Sequence, residues 1–524
     1  MEVGVGDGEE WRRTVNSQGA VSAATREARE VGHAILASGG NAFDAVVASA
    51  IALAVTEPGN CGLGGEGYCI FYDARAERAG ALCFMSEPGS LATPENVRGR
   101  ELVRGVMASL VPAAVAGWFA LISAKCTRPA EELLAPAIGF AENGFEITDG
   151  LAGALNWMAD QFHPSARPVF VRSDRLWEGG ERLLQPELAL TLRLLAQDGE
   201  QAFYSGEFAE RMDRFFRETG GILRKDDLAS YRPLWQKTLA RRFGEVDVHV
   251  PPPESTGFSV FYGLELLSRL GYGSMAFGEP RAVGALVSVL RETEECVDGI
   301  AARLRPYEAE TEEAVERLFE ERELATAAQR LGRSRPRPDG RRGTCTTSLS
   351  ACDGSGNLVC LTQTLDHGFG SGVVIPGTGV LMNNGMAWLN TDPSRGRADL
   401  VAPHERFFVP VVPTVALSGS GRPWLALGTP GGFGIPQTTL QVWANILLRG
   451  DAVQEAINKP RITVGAIVPE RGHPQDVQLE AGLPREVYGE WQTEAEQGYQ
   501  NFGRFHAVQF TDDGDAVAIS DPRA

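Results

Sequence analysis

"RRGTCTTSLSACDGSGNLVCLTQT", residues 341–364, reads as two short alternating strands around a polar turn. Asp353 to Asn357, "DGSGN", are turn formers. A five-residue hairpin loop makes Cys352 and Leu358 the closing pair. In a regular antiparallel ladder Thr346 then faces Thr364, with Cβ atoms about 4.5–5.5 Å apart on one face. A bulge would move that register by one residue. Facing threonines are ordinary in sheets, but Thr346 opens its strand just behind "GRSRPRPDGRRG", residues 332–343, a basic Pro/Gly-rich linker where a chain can be cut. A threonine freed at an N-terminus gains an α-amine of pKa roughly 7.7–8.0. That amine can act as general base for its own hydroxyl, so no histidine is required.

Working outward, "GTPGGFG", residues 428–434, follows the strand "PWLAL" and offers Gly431 and Gly432, adjacent glycines whose amides can converge on an oxyanion. Upstream, Ser22 to Ala37 has helical spacing and stops at Gly39-Gly40. Asn41 caps a second helix running to about Val55, with Asp44 in its first turn. "YCIFYD" reads as a strand, and "GEVDVHVPPPESTG" as a strand entering a Pro-rich turn. Residues 280–331 are helical and charged.

Composition excludes several classes. The chain has 524 residues and a formal net charge of −19, which argues against a nucleic-acid partner. Four of its 49 Lys+Arg are lysine, a skew that suggests a GC-rich genome. The longest apolar run, Ala45 to Val55, falls short of a membrane span. "MEVGVGDGEEWRRTVNS" lacks an apolar core and reads as a loose tail over residues 1–18, not a signal peptide. Eight cysteines without a CxxC pair read as reduced thiols of a cytoplasmic enzyme. Seven scattered histidines give no metal spacing, and no cofactor is expected.

Taken in order, these pieces resemble the gamma-glutamyltransferase family of N-terminal nucleophile hydrolases. "NCGLGGEGY" is similar to that family's N-L-G-G-G-G-F, and "PPPESTG" to its P-P-P-S-S-G-G. "TTSLSACDGSGNLVCLTQTL" is similar to its T-T-H-x-S-V-x-D-x-x-G-N-x-V-x-x-T-x-T-L, with Ser348 in place of the histidine. "GTPGG" and "AISDPR" resemble its G-S-P-G-G and G-A-S-D-P-R. The resemblance implies an α+β fold, a four-layer αββα sandwich made as one precursor that cuts itself between Cys345 and Thr346. A large subunit, residues 19–345 and ending in a mobile linker at 332–345, would stay with a small subunit, 346–524. Thr346 is implied as nucleophile and base, Thr364 as its hydroxyl partner, and Gly431 and Gly432 as the oxyanion hole.

The glutamyl-binding residues of the family are mostly replaced. Its α-carboxylate arginine falls near Met85, and no arginine lies between Arg78 and Arg98. Its asparagine after the second threonine is Asp366. In the segment matching N-N-Q-M-D-D, Asn384 is kept while Gly385 and Trp388 replace the glutamine and the second aspartate. Its two serines become Val409 and Pro410. Burying a donor's carboxylate and ammonium without partners costs several kcal/mol. Loss of cation, anion and polar donors together therefore predicts a non-glutamyl substrate, in a flatter apolar pocket that includes Trp388, Phe407, Phe408 and Val409. The favoured member is a C–C hydrolase removing an oxalyl-type unit, as in family relatives of actinobacterial 4-alkylproline antibiotic pathways; an amidohydrolase is the other. Two alternatives stay open: a glutathione hydrolase proper, and a non-catalytic descendant. Asp366 reads either as a substrate contact or, slightly favoured, as a solvated loop carboxylate.

Overall fold

The computed structural model describes residues 15–16, 18–332, 345–395, 399–465, 477–490, 495–496 and 502–523. Most of the expected tail at 1–18 and of the linker at 332–345 lies outside these residues. Val15–Asn16, within that tail, form a short edge strand opposite Val517 and Ala516.

Two antiparallel sheets make the centre. The six-stranded sheet runs Gly19–Ser22, Cys345–Asp353, Leu358–Asp366, Glu66–Asp73, Arg78–Phe84, Leu234–Gln236. The seven-stranded sheet runs Val15–Asn16, Ala516–Ser520, His506–Phe510, Pro423–Gly428, Thr414–Ser418, Val246–Val250, Leu239–Phe243. Side chains of a strand alternate between faces. Leu349, Ala351, Val359 and Leu361 bury against one helical layer, built from Arg26–Ala37, Ala42–Thr56, Ala114–Ala124 and Ala130–Asn143. Cys352, Leu358 and Cys360 turn the other way, onto Val415, Ala426 and Val508 of the second sheet. The far face of that sheet, with Val248, Leu425 and Leu427, packs on Phe258–Arg269, Pro280–Ala301 and Gly434–Arg449. The result is the αββα sandwich.

The central helix Ala42–Thr56 is apolar almost all round and every residue in it is buried, as suits a helix covered on both sides. Its start is fixed by a capping box: the Asp44 N–H donates to Asn41 Oδ1 at 2.8 Å, and Asp44 Oδ2 accepts from the Asn41 N–H at 2.8 Å. The sheets approach closely at Gly428, where a Cβ would stand 2.1 Å from Ser348 Oγ and 2.7 Å from Cys360 Sγ. Ser348, where the family has histidine, is thus a small residue filling an inter-sheet gap. No helix of the described residues is long and apolar enough to cross a membrane.

Candidate active site

The hairpin closes as its sequence suggests. Cys352 faces Leu358, and the register holds through Thr347 opposite Gln363. It then shifts, Cys345 facing Asp366, so Thr364 and Leu365 together oppose the single Thr346 in a bulge of the second strand. The bulge leaves Thr346 Oγ1 3.3 Å from Thr364 Oγ1, with both buried. Both hydroxyls meet the carbonyl oxygen of Cys345: Thr346 Oγ1 at 2.7 Å, and Thr364 Oγ1 in a shorter contact. Thr364 Oγ1 also accepts from the Asp366 N–H at 2.8 Å, which orients it. The Cys345 thiol donates to the Gly59 carbonyl at 3.0 Å, holding the residue before the threonine on the "GNCG" turn. Burial pushes that thiol well above the usual range, so it stays protonated.

A pocket of about 360 Å³, counted to its open mouth, opens on the two threonines. Met85, Trp388, Phe407, Val409, Pro410, Val411 and Ile435 give it apolar walls; Glu66, Asp366 and Gly432 also line it. The expected Met85, Asp366, Trp388 and Val409 therefore converge beside Thr346. Gly432 has φ +54° and Gly431 φ +138°, and no described residue accepts from either amide. Gly432 reaches the pocket wall, while Gly431 stands one residue behind it.

Four expectations need correction. Asp366 is not a solvated loop carboxylate: it is 5% exposed and accepts from the Trp388 indole N–H at 2.8 Å. Asn384 does not line the pocket; its amide nitrogen donates to the Val103 carbonyl and its oxygen accepts from the His367 N–H, so it is spent on holding loops together. Gly385 stands behind Asp366, where a Cβ would be 2.4 Å from Leu110 and 3.3 Å from Asp366 Oδ2. Phe408, between two wall residues, turns outward onto the Phe258–Val297 cluster.

Sequence reasoning missed Glu66. Its neighbours are glycines for a physical reason: a Cβ at Gly64 would strike the Leu381 carbonyl at 2.1 Å, at Gly65 the Thr364 carbonyl at 2.2 Å, and at Gly67 the Thr362 carbonyl at 2.5 Å. Only position 66, paired opposite Thr364, points to the inter-sheet face and can carry a side chain. Glu66 Oε2 accepts from the Ser86 N–H at 2.7 Å. Burial drives the carboxyls of Glu66 and Asp366 above the ordinary carboxylate range, and Glu66 raises Asp366 further. Two carboxyls raised together in this way favour sharing a proton over both being charged. Among the described residues no lysine or arginine lines the pocket, and no group of His, Cys, Asp and Glu is placed to hold a metal.

Residues 28–524 match the gamma-glutamyltranspeptidase family. The acylase ACY 1 proenzyme of a Pseudomonas species is 31% identical, over 88% of this chain and 83% of its own. The oxamate amidohydrolase proenzyme of Klebsiella pneumoniae is 30% identical over 86% of each. The crystal structure of cephalosporin acylase from Bacillus halodurans superposes with a TM-score of 0.85 at 26% identity, covering 98% of this chain and 95% of that one. With its sandwich fold and its threonine hairpin, the chain belongs to the gamma-glutamyltranspeptidase family of N-terminal nucleophile hydrolases.

Proposed function

We propose that this protein is a self-cleaving threonine hydrolase acting on a non-glutamyl acyl group. The observation that carries the proposal is the double contact of Thr346 and Thr364 hydroxyls on the Cys345 carbonyl, at the head of an open pocket. Thr346 Oγ1 attacks the Cys345 carbonyl carbon while Thr364 supports the developing oxyanion. The peptide C–N bond breaks, the Thr346 amine takes the proton, and water hydrolyses the resulting ester. Chains 1–345 and 346–524 remain associated through the shared six-stranded sheet, to which both contribute strands. The names of the two relatives, both proenzymes, support a processed precursor.

In turnover the freed Thr346 amine accepts the hydroxyl proton as the oxygen attacks the substrate carbonyl. Amides of Gly431 and Gly432 face the oxyanion, the leaving group departs with the proton, and water releases the acyl group from Thr346. The step is the same for an amide or a C–C bond; only the leaving group differs. Absence of a guanidinium or ammonium from the pocket wall disfavours a glutamyl donor. It equally disfavours the carboxylate of an oxalyl-type unit, the unit favoured by sequence, so the C–C reaction in an antibiotic pathway becomes the second reading. The oxamate amidohydrolase likeness is what keeps it.

The test compares 4-nitroanilides of glutamate (γ-linked), oxalate and neutral aliphatic acids, with Thr346→Ala as blank. Faster release from the neutral acyl groups is expected. Preference for the γ-glutamyl anilide would restore glutathione hydrolysis.

A further inference from the structure

Among the described residues Glu66 and Asp366 are the only acidic ones on the pocket wall, and they reach it from neighbouring strands whose register sets Glu66 opposite Thr364. Each has one oxygen satisfied from outside the pocket: Glu66 Oε2 by the Ser86 N–H, Asp366 Oδ1 by the Trp388 indole. Asp366 Oδ2 is buried and takes no donor from any described residue. A carboxylate beside it cannot donate, so this oxygen needs either a shared proton or a donor brought by a ligand. Asp366 sits at φ +78°, a left-handed conformation that costs most residues energy but that aspartate tolerates. That turn ends the strand and sets its carboxyl against the indole that forms the pocket wall.

Arg406 favours the charged form of Glu66, but burial outweighs it; its guanidinium is held by Glu87 at 3.4 Å and by the Arg232 carbonyl, and lies 5.3 Å from the Tyr231 ring centroid. Behind the indole, His367 stacks on Trp388 at 5.4 Å.

We propose that Glu66 and Asp366 together select the acyl group, accepting hydrogen bonds from an ammonium or N–H it carries and rejecting a carboxylate at the same place. The proposal rests on the reading that this is the acyl pocket of Thr346. With one shared proton the pair keeps one negative charge in a largely apolar cavity, on whose wall no cation stands among the described residues. A ligand ammonium there makes a charge-assisted bond to Asp366 Oδ2. A ligand carboxylate must bring extra protons with it or meet unscreened repulsion.

Three carboxamides of matched length serve as probes on the purified full chain: pentanamide, 5-aminopentanamide and glutaric acid monoamide. Affinity is read by thermal shift and calorimetry, so no turnover is needed. The ammonium ligand should bind tenfold or more tighter than the carboxylate ligand, a gap of about 1.4 kcal/mol. Glu66→Gln and Asp366→Asn, each isosteric, should shrink that ratio tenfold or more. Equal affinities, no binding by any probe, or tighter binding of the carboxylate ligand overturns the proposal. The three-ligand comparison on the unaltered protein stands even if neither variant folds. A protein that stays uncut yet prefers the ammonium would sink the Thr346 mechanism and leave the pair; a cut protein with no preference does the reverse.

Discussion

Replacing Thr364 by valine isolates its hydroxyl from its shape. Two interactions go with that hydroxyl: the contact on the Cys345 carbonyl and acceptance of the Asp366 N–H at 2.8 Å. Loss of one oxyanion donor costs about 2.7–4 kcal/mol in the barrier, or about 10²–10³ in rate. Orphaning the buried Asp366 N–H costs stability by about 1–3 kcal/mol but does not touch the barrier directly. Thr364→Val should therefore fold, melt somewhat lower, and cut itself at least 100-fold more slowly than the wild type, by the same estimate. Thr364→Ser, which keeps the hydroxyl, should cut at a rate near that of the wild type. The assay is a time course of precursor and product chains after cell-free synthesis, with circular dichroism as the check on folding. A folded Thr364→Val that cuts at the wild-type rate would refute the role given to this hydroxyl.

Other expectations follow from the same geometry. Glu66 and Asp366 have folded pKa values raised by burial, so between about pH 4 and those raised values the folded state binds more protons than the unfolded. Stability should then fall as pH rises through this window, by up to about 1.4 kcal/mol per pH unit for one extra proton; Glu66→Gln should flatten that slope in urea titrations. Asp521 is the opposite case: burial pushes it up, but the Arg461 and Arg523 guanidiniums outweigh burial and hold it low. Its contribution is present above about pH 4 and is lost as pH falls through its folded value. Asp521→Asn leaves Arg461, 1% exposed, without its carboxylate, and should cost about 3–5 kcal/mol in denaturant melts. Gly428→Ala forces a Cβ to 2.1 Å from Ser348 Oγ and should lower stability by about 1–3 kcal/mol, with Ser348→Ala restoring part of it.

How much was legible depended on how local the information is. The hairpin register is written in a turn sequence and a period of two, so Cys352–Leu358 and the Thr346–Thr364 proximity follow from a few residues. The Asn41–Asp44 capping box is likewise local. Glu66 was invisible because its meaning is non-local: an acid in a glycine run signifies something only once the neighbouring strand brings Asp366 to it. The run itself held a signal, since glycines on both sides mark close backbone approach, and the one position with a side chain then stands out. Asn384 misled for the complementary reason. A polar residue near a site looks like a contact until every one of its hydrogen bonds is found within the protein. Phe407 and Phe408 could not be separated without knowing which face of the segment meets the cavity; its backbone is fixed by the "PPPESTG" turn, whose Glu254 carbonyl accepts from the Val409 N–H at 3.0 Å.

The central claim is that Thr346 is a nucleophile already aimed at its own peptide bond. Intact mass of the purified wild type beside Thr346→Ala tests it most directly. Two wild-type species, divided between Cys345 and Thr346, should co-purify, and the variant should stay a single uncut chain. An uncut wild type, or cleavage at any other bond, would contradict it.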